Sequence, residues 1–106
     1  METKFIVVLC TVPDQSTAEN IARKLVNEKL AACCNIVPGL QSFYFWKGEA
    51  QSDKELLLLI KTSSHIFKKL QNRITELHPY EVPEIIALPI LIGNNAYLNW
   101  VEENVE

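Results

Sequence analysis

Glycine is scarce: three in 106 residues, and none lies in a loop that could cradle a phosphate with backbone N–H groups. No G-x-S-x-G elbow presents a serine nucleophile, and no C-x-x-C or H-x-x-x-H spacing marks a zinc site. Long hydrophobic runs are also missing. The stretch from Ile85 to Ile92 is broken by Pro89, and the run from Phe5 to Cys10 follows Glu2 and precedes a proline. Both are far shorter than the ~20 apolar residues of a membrane span, and the first has the wrong flanks for a signal peptide. Basic residues are outnumbered, 10 against 13 acidic ones for a net charge of −3, which argues against a nucleic-acid backbone as partner. Three cysteines are an odd number for a disulfide framework and read as free thiols in a reducing compartment. A soluble, cytoplasmic protein without a membrane partner is expected. No repeat, charge block or low-complexity tract appears.

What is present is a core. Hydrophobic residues make up 48% of the chain, enough for one packed domain over residues 1–106. Residues 3–11 read as a first strand, apolar on both faces. A helix follows, with Asp14 or Ser16 as N-cap, Glu19 able to complete a Ser16 capping box, and a stripe from Ala18 to Leu30. An extended segment runs from Ala31 to Trp46 with a kink at Pro38-Gly39. "KGEAQS" reads as a turn and Glu55 to Thr62 as the third strand. Ser63 or Ser64 would cap a second helix that ends at His78-Pro79, because a residue before proline avoids helical dihedrals. A fourth strand spans about Val82 to Ile92, and a short helix closes the chain. The order βαββαβ plus a helix predicts a ferredoxin-like α+β sandwich.

Two helices can cover only one face of such a sheet. The other would expose about eight large apolar side chains, each forfeiting roughly 1.5–3 kcal/mol in water, together comparable with a domain's net stability of about 5–15 kcal/mol. The C-terminal helix with Tyr97, Leu98, Trp100 and Val101 can cover part of it; self-association through the sheets covers the rest. The aromatic run "SFYFWKG" places Tyr44 and Trp46 on one face and Phe43 and Phe45 on the other, a pattern of burial between subunits. The same topology occurs in RNA-recognition domains, but their third strand displays aromatics and "ELLLLIKT" has none.

In a sheet of order 4-1-3-2, the end of strand 1 and the start of strand 4 share an edge. Cys10 and His78 therefore converge, with Glu81 or Glu84 as a third donor, a set that suits copper or zinc. The plainer reading makes Cys10 a buried hydrophobe and His78 a helix cap. Cys33 and Cys34 point to opposite faces of a strand and cannot chelate one ion together. Cys10 with His78 could also be a nucleophile and base, but no further catalytic motif supports turnover, and no enzyme activity is expected.

The blocks "LCTVPD", "AACCNIVPGLQSFYFWKG", "ELLLLIKT", "HPYEVPEIIALPI" and "YLNWVEE" resemble the CutA family of divalent-cation tolerance proteins across nearly the whole chain. The resemblance implies a homotrimer with an architecture similar to PII signalling proteins, and a link to copper or another divalent cation that is not required for folding. It also implies a copper site built from a strand-1 cysteine and two consecutive histidines before Pro-Tyr. The matching positions are Cys10, Leu77 and His78, and Leu77 cannot bind metal. Lys61, Tyr80 and Glu84 would line a cleft at the subunit boundary, and Tyr44, Trp46 and Trp100 would lie in the trimer interface. Three functions remain open from the sequence: metal binding, a small-ligand signalling module, and a rigid structural trimer.

Overall fold

The structure, a computed structural model, describes residues 3–106. Its elements are β1 (Phe5–Val12), α1 (Gln15–Asn27), β2 (Cys33–Trp46), β3 (Glu49–Ser63), α2 (Phe67–Leu77), β4 (Ile86–Pro89) and α3 (Asn95–Glu103), with a 3-10 turn at Ser64–Ile66 leading into α2. The strands form one antiparallel sheet in the order β2-β3-β1-β4. This is the expected ferredoxin-like α+β arrangement, the 4-1-3-2 order read from the other edge.

Strict alternation in β1 builds the core. Ile6, Val8, Cys10 and Val12 are buried and stand opposite Thr62, Ile60, Leu58 and Leu56 of β3. Against this face pack Ile21 and Leu25 of α1 and Leu70 and Ile74 of α2, all fully buried. Their spacing within each helix, four residues apart, is what turns a 3.6-residue period into one apolar stripe. Thr62 is polar and wholly buried, and its hydroxyl donates to the Leu30 carbonyl at 2.8 Å.

The helix starts differ in part from expectation. Asp14 caps α1, accepting the Thr17 N–H at 2.8 Å, and Ser16 donates its hydroxyl to the same carboxylate at 3.1 Å. The Ser16–Glu19 box therefore does not form; Glu19 accepts from Gln15 Nε2 at 2.8 Å instead. Neither Ser63 nor Ser64 caps α2 with its side chain, because the 3-10 turn intervenes and the Ser64 N–H goes to the Lys4 carbonyl at 2.8 Å.

Strand lengths also depart from the sequence reading. β3 begins at Glu49, so most of "KGEAQS" is strand and only Lys47 and Gly48 turn, at φ +52° and +81°. Two successive positive φ values make the tight hairpin that matches strand twist. Residues 49–52 read as turn because their arm has no core beneath it and so carries no alternation. β2 runs on through Pro38-Gly39 by a shift of register between Val37 and Leu40, with Gly39 at φ +85°. β4 is short, Ile86–Pro89 rather than Val82 to Ile92, since Pro83 and Pro89 have no N–H to give a ladder.

The outer face of the sheet carries Val7, Leu9, Leu57 and Leu59 in register with Ile86 and Leu88. α3 packs against β3, and an ion pair from Lys4 to Glu102 at 2.9 Å fastens it. This helix leaves much of the face open: Ile86 and Leu88 are half exposed, and Leu91 and Ile92 are 83% and 86% exposed.

Removing side-chain volume from the helix–sheet layer should be costly. Ile74→Ala is expected to lower unfolding free energy by about 2–5 kcal/mol in denaturant titrations at fixed protein concentration, whereas Val26→Ala, on the exposed side of α1, should change it by less than about 0.5 kcal/mol.

Candidate functional site

The end of β1 and the loop after α2 do meet, at the carbonyl of Thr11. His78 closes α2, its N–H donating to the Ile74 carbonyl at 2.8 Å. Its dihedrals then turn extended, as a residue before proline requires. The buried ring lies across the sheet edge, and its Nε2 is 2.7 Å from the Thr11 carbonyl. Its Nδ1 accepts the Tyr80 N–H at 3.1 Å. A carbonyl can only accept and an amide N–H can only donate, so the ring is held as the Nε2–H tautomer.

Cys10 reaches the same point. Its side chain is fully buried and its S–H faces the Thr11 carbonyl at 3.8 Å. Burial pushes the thiol up to about 12, with the negative charge of Glu84 adding to the effect. At neutral pH and without a metal it is therefore a protonated thiol. The two side chains singled out in the sequence are brought together, but as a structural knot: neither offers a free donor. Leu77, the third position implied by the family pattern, packs against the core. Among the described residues no three His, Cys, Asp or Glu side chains gather around one point, so the copper set implied by the resemblance does not fit as it stands.

Beyond the knot the chain builds a cleft. Pro79, Tyr80, Glu81, Val82 and Glu84 form one wall, Ser42, Phe43, Tyr44 and Trp46 of β2 the other, and Thr11 and Glu55 complete it, with a volume of about 670 Å³. Tyr80 stacks at a tilt on His78, ring centroids 4.6 Å apart, and its hydroxyl donates to Glu55 Oε2 at 2.7 Å. Burial and that bond push the Tyr80 phenol up. Tyr44 likewise donates to Asp53, which raises its phenol above the ordinary 10.0. Glu55 itself is only 7% exposed.

Of the residues expected to line a cleft at the subunit boundary, Tyr80 and Glu84 line this cleft within the chain, together with Glu81, Tyr44 and Trp46. Lys61 does not. It stands opposite Cys33 and Val7 and donates to Asn35, four residues along β3 from Leu57, or roughly 13 Å at strand rise. Trp100 lies on α3 with its ring 5.6 Å from that of Tyr97, also outside the cleft. Glu55, Asp53 and Thr11 went unremarked in the sequence, although the alternation of Glu55 with Leu57 and Leu59 would have put it on the outer face. The cysteine pair splits as expected: Cys34 packs with the core beside Cys10's layer and its thiol is pushed up to about 12 by burial, while Cys33 lies on the outer face.

The CutA1 divalent ion tolerance protein family matches residues 6–104. This chain belongs to that family. It is 60% identical over 98 residues to the divalent-cation tolerance protein CutA of Thermus thermophilus, covering 92% of this chain and 95% of that protein. The chloroplastic CutA of Arabidopsis thaliana is 48% identical over 93% of this chain, which spans 54% of the plant protein's length. Among solved structures, CutA1 from Oryza sativa superposes with a TM-score of 0.95 at 44% identity, covering 98% of this chain and 95% of the rice chain. The Thermus thermophilus structure gives 0.94 at 58% identity, over 96% and 99%. The ferredoxin-like reading of the fold thus stands on both sequence and shape.

Two outcomes follow from the knot at Thr11. In the native CutA1-family chain, one thiol, Cys33, should react promptly with a disulfide reagent at neutral pH, and Cys10 and Cys34 only on unfolding; three equally fast thiols would refute the burial argument. His78→Ala should destabilise by about 1–3 kcal/mol in denaturant titrations by orphaning the Thr11 carbonyl.

Proposed function

We propose that this chain serves divalent-ion tolerance by reversibly binding the ions, without catalytic turnover, as a homotrimer in the cytoplasm. The observation that carries the metal reading is the cleft wall: Glu55, Glu81 and Glu84 line it with no Lys, Arg or His among the lining residues. Carboxylate oxygens accept divalent cations generally, and at a given oxygen site copper binds ahead of its first-row neighbours. Because no three donors gather at one point among the described residues, an ion here would keep bound waters or take donors from another copy. The free thiols favour a reducing compartment.

Support for association comes from the outer face, where Ile86, Leu88, Leu91 and Ile92 stay in water in the single chain. Apolar patches of this kind mark protein contacts. A second reading, a small-ligand module with sites at subunit boundaries, is supported by the cleft's volume, which is in the range of small-molecule sites.

Titration of the reduced protein with copper and zinc against competing chelators tests the metal reading. Saturable binding is expected, weakened at least about tenfold by Glu84→Gln and changed less than about twofold by Cys10→Ser. Loss in Cys10→Ser and His78→Ala with Glu84→Gln unaffected would return the site to the knot. The native mass should be three times the chain's 12.1 kDa; a monomer would overturn the trimer.

A further inference from the structure

We infer that Pro38-Gly39 is a register lock on the β2–β3 arm, one that decides which of two aromatic pairs the arm turns toward the face proposed for self-association. The lock itself stands on pairing geometry; only its consequence for assembly rests on the association reading.

Two anchors pin the hairpin, and they disagree by one residue. At the core end Val37 stands opposite Leu57, with Cys34 and Ile36 packed inward. At the tip Trp46 stands opposite Glu49 across the Lys47-Gly48 turn. Between these pairs β2 takes nine steps and β3 eight, so one residue must leave the ladder. It leaves at Pro38-Gly39, where the register shifts. Gly39, the only glycine of β2, takes φ +85°, which other residues reach only at a cost. Pro38 brings no N–H to a ladder.

The chain holds a second solution. A plain ladder continued from Val37 would set Ser42 opposite Ser52 and Tyr44 opposite Ala50. Trp46, Lys47 and Gly48 would then form a three-residue turn with a positive φ at its last position, where Gly48 already has +81°. A slip of one residue sends every side chain of the strand to the other face. Phe43 and Phe45 would replace Tyr44 and Trp46 on the side of the sheet that carries Glu55, Ile86 and Leu88. One bond on each face marks the observed register: Tyr44 donates to Asp53, and Gln41 Nε2 to Ser52 Oγ at 2.6 Å. The slip breaks both, since each pair would then point to opposite sides.

Engineered disulfides read the register, because directly opposite residues can be bridged while residues one step off face opposite ways. In a Cys33→Ser background, Ser42→Cys is combined with Asp53→Cys, its partner in the observed register, or with Ser52→Cys, its partner in the slipped one. With Pro38-Gly39 intact the first pair should close and the second should not. Pro38→Val with Gly39→Val should shift the ratio toward the second pair by about tenfold or more, and the native mass should fall to that of one chain. Pro38→Val with Gly39→Asn, which tolerates a positive φ, should return the preference to the first pair. Protection of Cys10 from a disulfide reagent shows that each variant's core is folded. A folded Pro38→Val, Gly39→Val chain that still closes the first pair overturns the lock. If that chain does not fold, Gly39→Val alone decides, and an unchanged preference overturns the lock there. A slipped chain that keeps the trimer mass overturns the consequence for assembly. A parent protein with the mass of one chain removes the association reading and leaves the lock to the disulfides.

Discussion

The Thr11 carbonyl is the point on which the rest of this structure hangs. It takes the His78 Nε2–H at 2.7 Å and faces the Cys10 thiol at 3.8 Å. Pro79 causes the arrangement, since it forces His78 out of helical dihedrals and swings the ring off the end of α2 toward β1. The other ring nitrogen then holds the Tyr80 N–H, and Tyr80 reaches across to Glu55. One proline and one carbonyl thus decide where the loop with Glu81 and Glu84 runs, and the cleft exists because that loop is tied down at both ends of His78.

The placement of charge is equally specific. Elsewhere the chain matches acid to base: Lys4 with Glu102, Lys69 with Glu106, and Arg73 in a two-pronged grip on Glu28 with both bonds at 2.9 Å. The Arg73 contact holds the Glu28 carboxyl below its ordinary value. Exposed pairs of this kind add little stability singly, but they do occupy the cations near them. Among the described residues the glutamates of the cleft have no ion-pair partner, and Glu55 accepts from Tyr80 instead.

Much of the fold could be read from the sequence because its core elements carry strong periodic signals. The short β-branched apolar run at Phe5–Val12, the four-residue stripe through Ile21 and Leu25, and the proline after His78 each point to their element through backbone geometry, and each is found. The lengths of β3 and β4 were not readable, for opposite reasons. Residues 49–54 are strand with water on both sides, so no periodicity records them; in 82–92 Pro83 lacks a donor, and pairing stops after the Ile90 N–H reaches the Phe5 carbonyl. The site was half readable. Convergence of Cys10 and His78 followed from topology, yet their chemistry depended on which protons the Thr11 carbonyl would take, and that is a matter of tertiary geometry. Glu55 was hidden for a related reason, its role arising from Tyr80, twenty-five positions on.

The cleft and the uncovered apolar surface are not independent features. Thr11, Glu55, Tyr44 and Trp46 lie on the outer side of the sheet, the side that also carries Ile86 and Leu88. Any copy that covers those residues brings its own surface to the rim of the cleft. A cation held there would then touch two chains, and a ligand that binds the assembled form better than the free chain stabilises the assembly in proportion to the logarithm of its concentration over its Kd. Conversely, an uncompensated cluster of glutamates at such a boundary would repel the incoming copy. Under the proposed function, assembly and cation binding would therefore be coupled through one patch of the sheet, with the same carboxylates setting the sign of both.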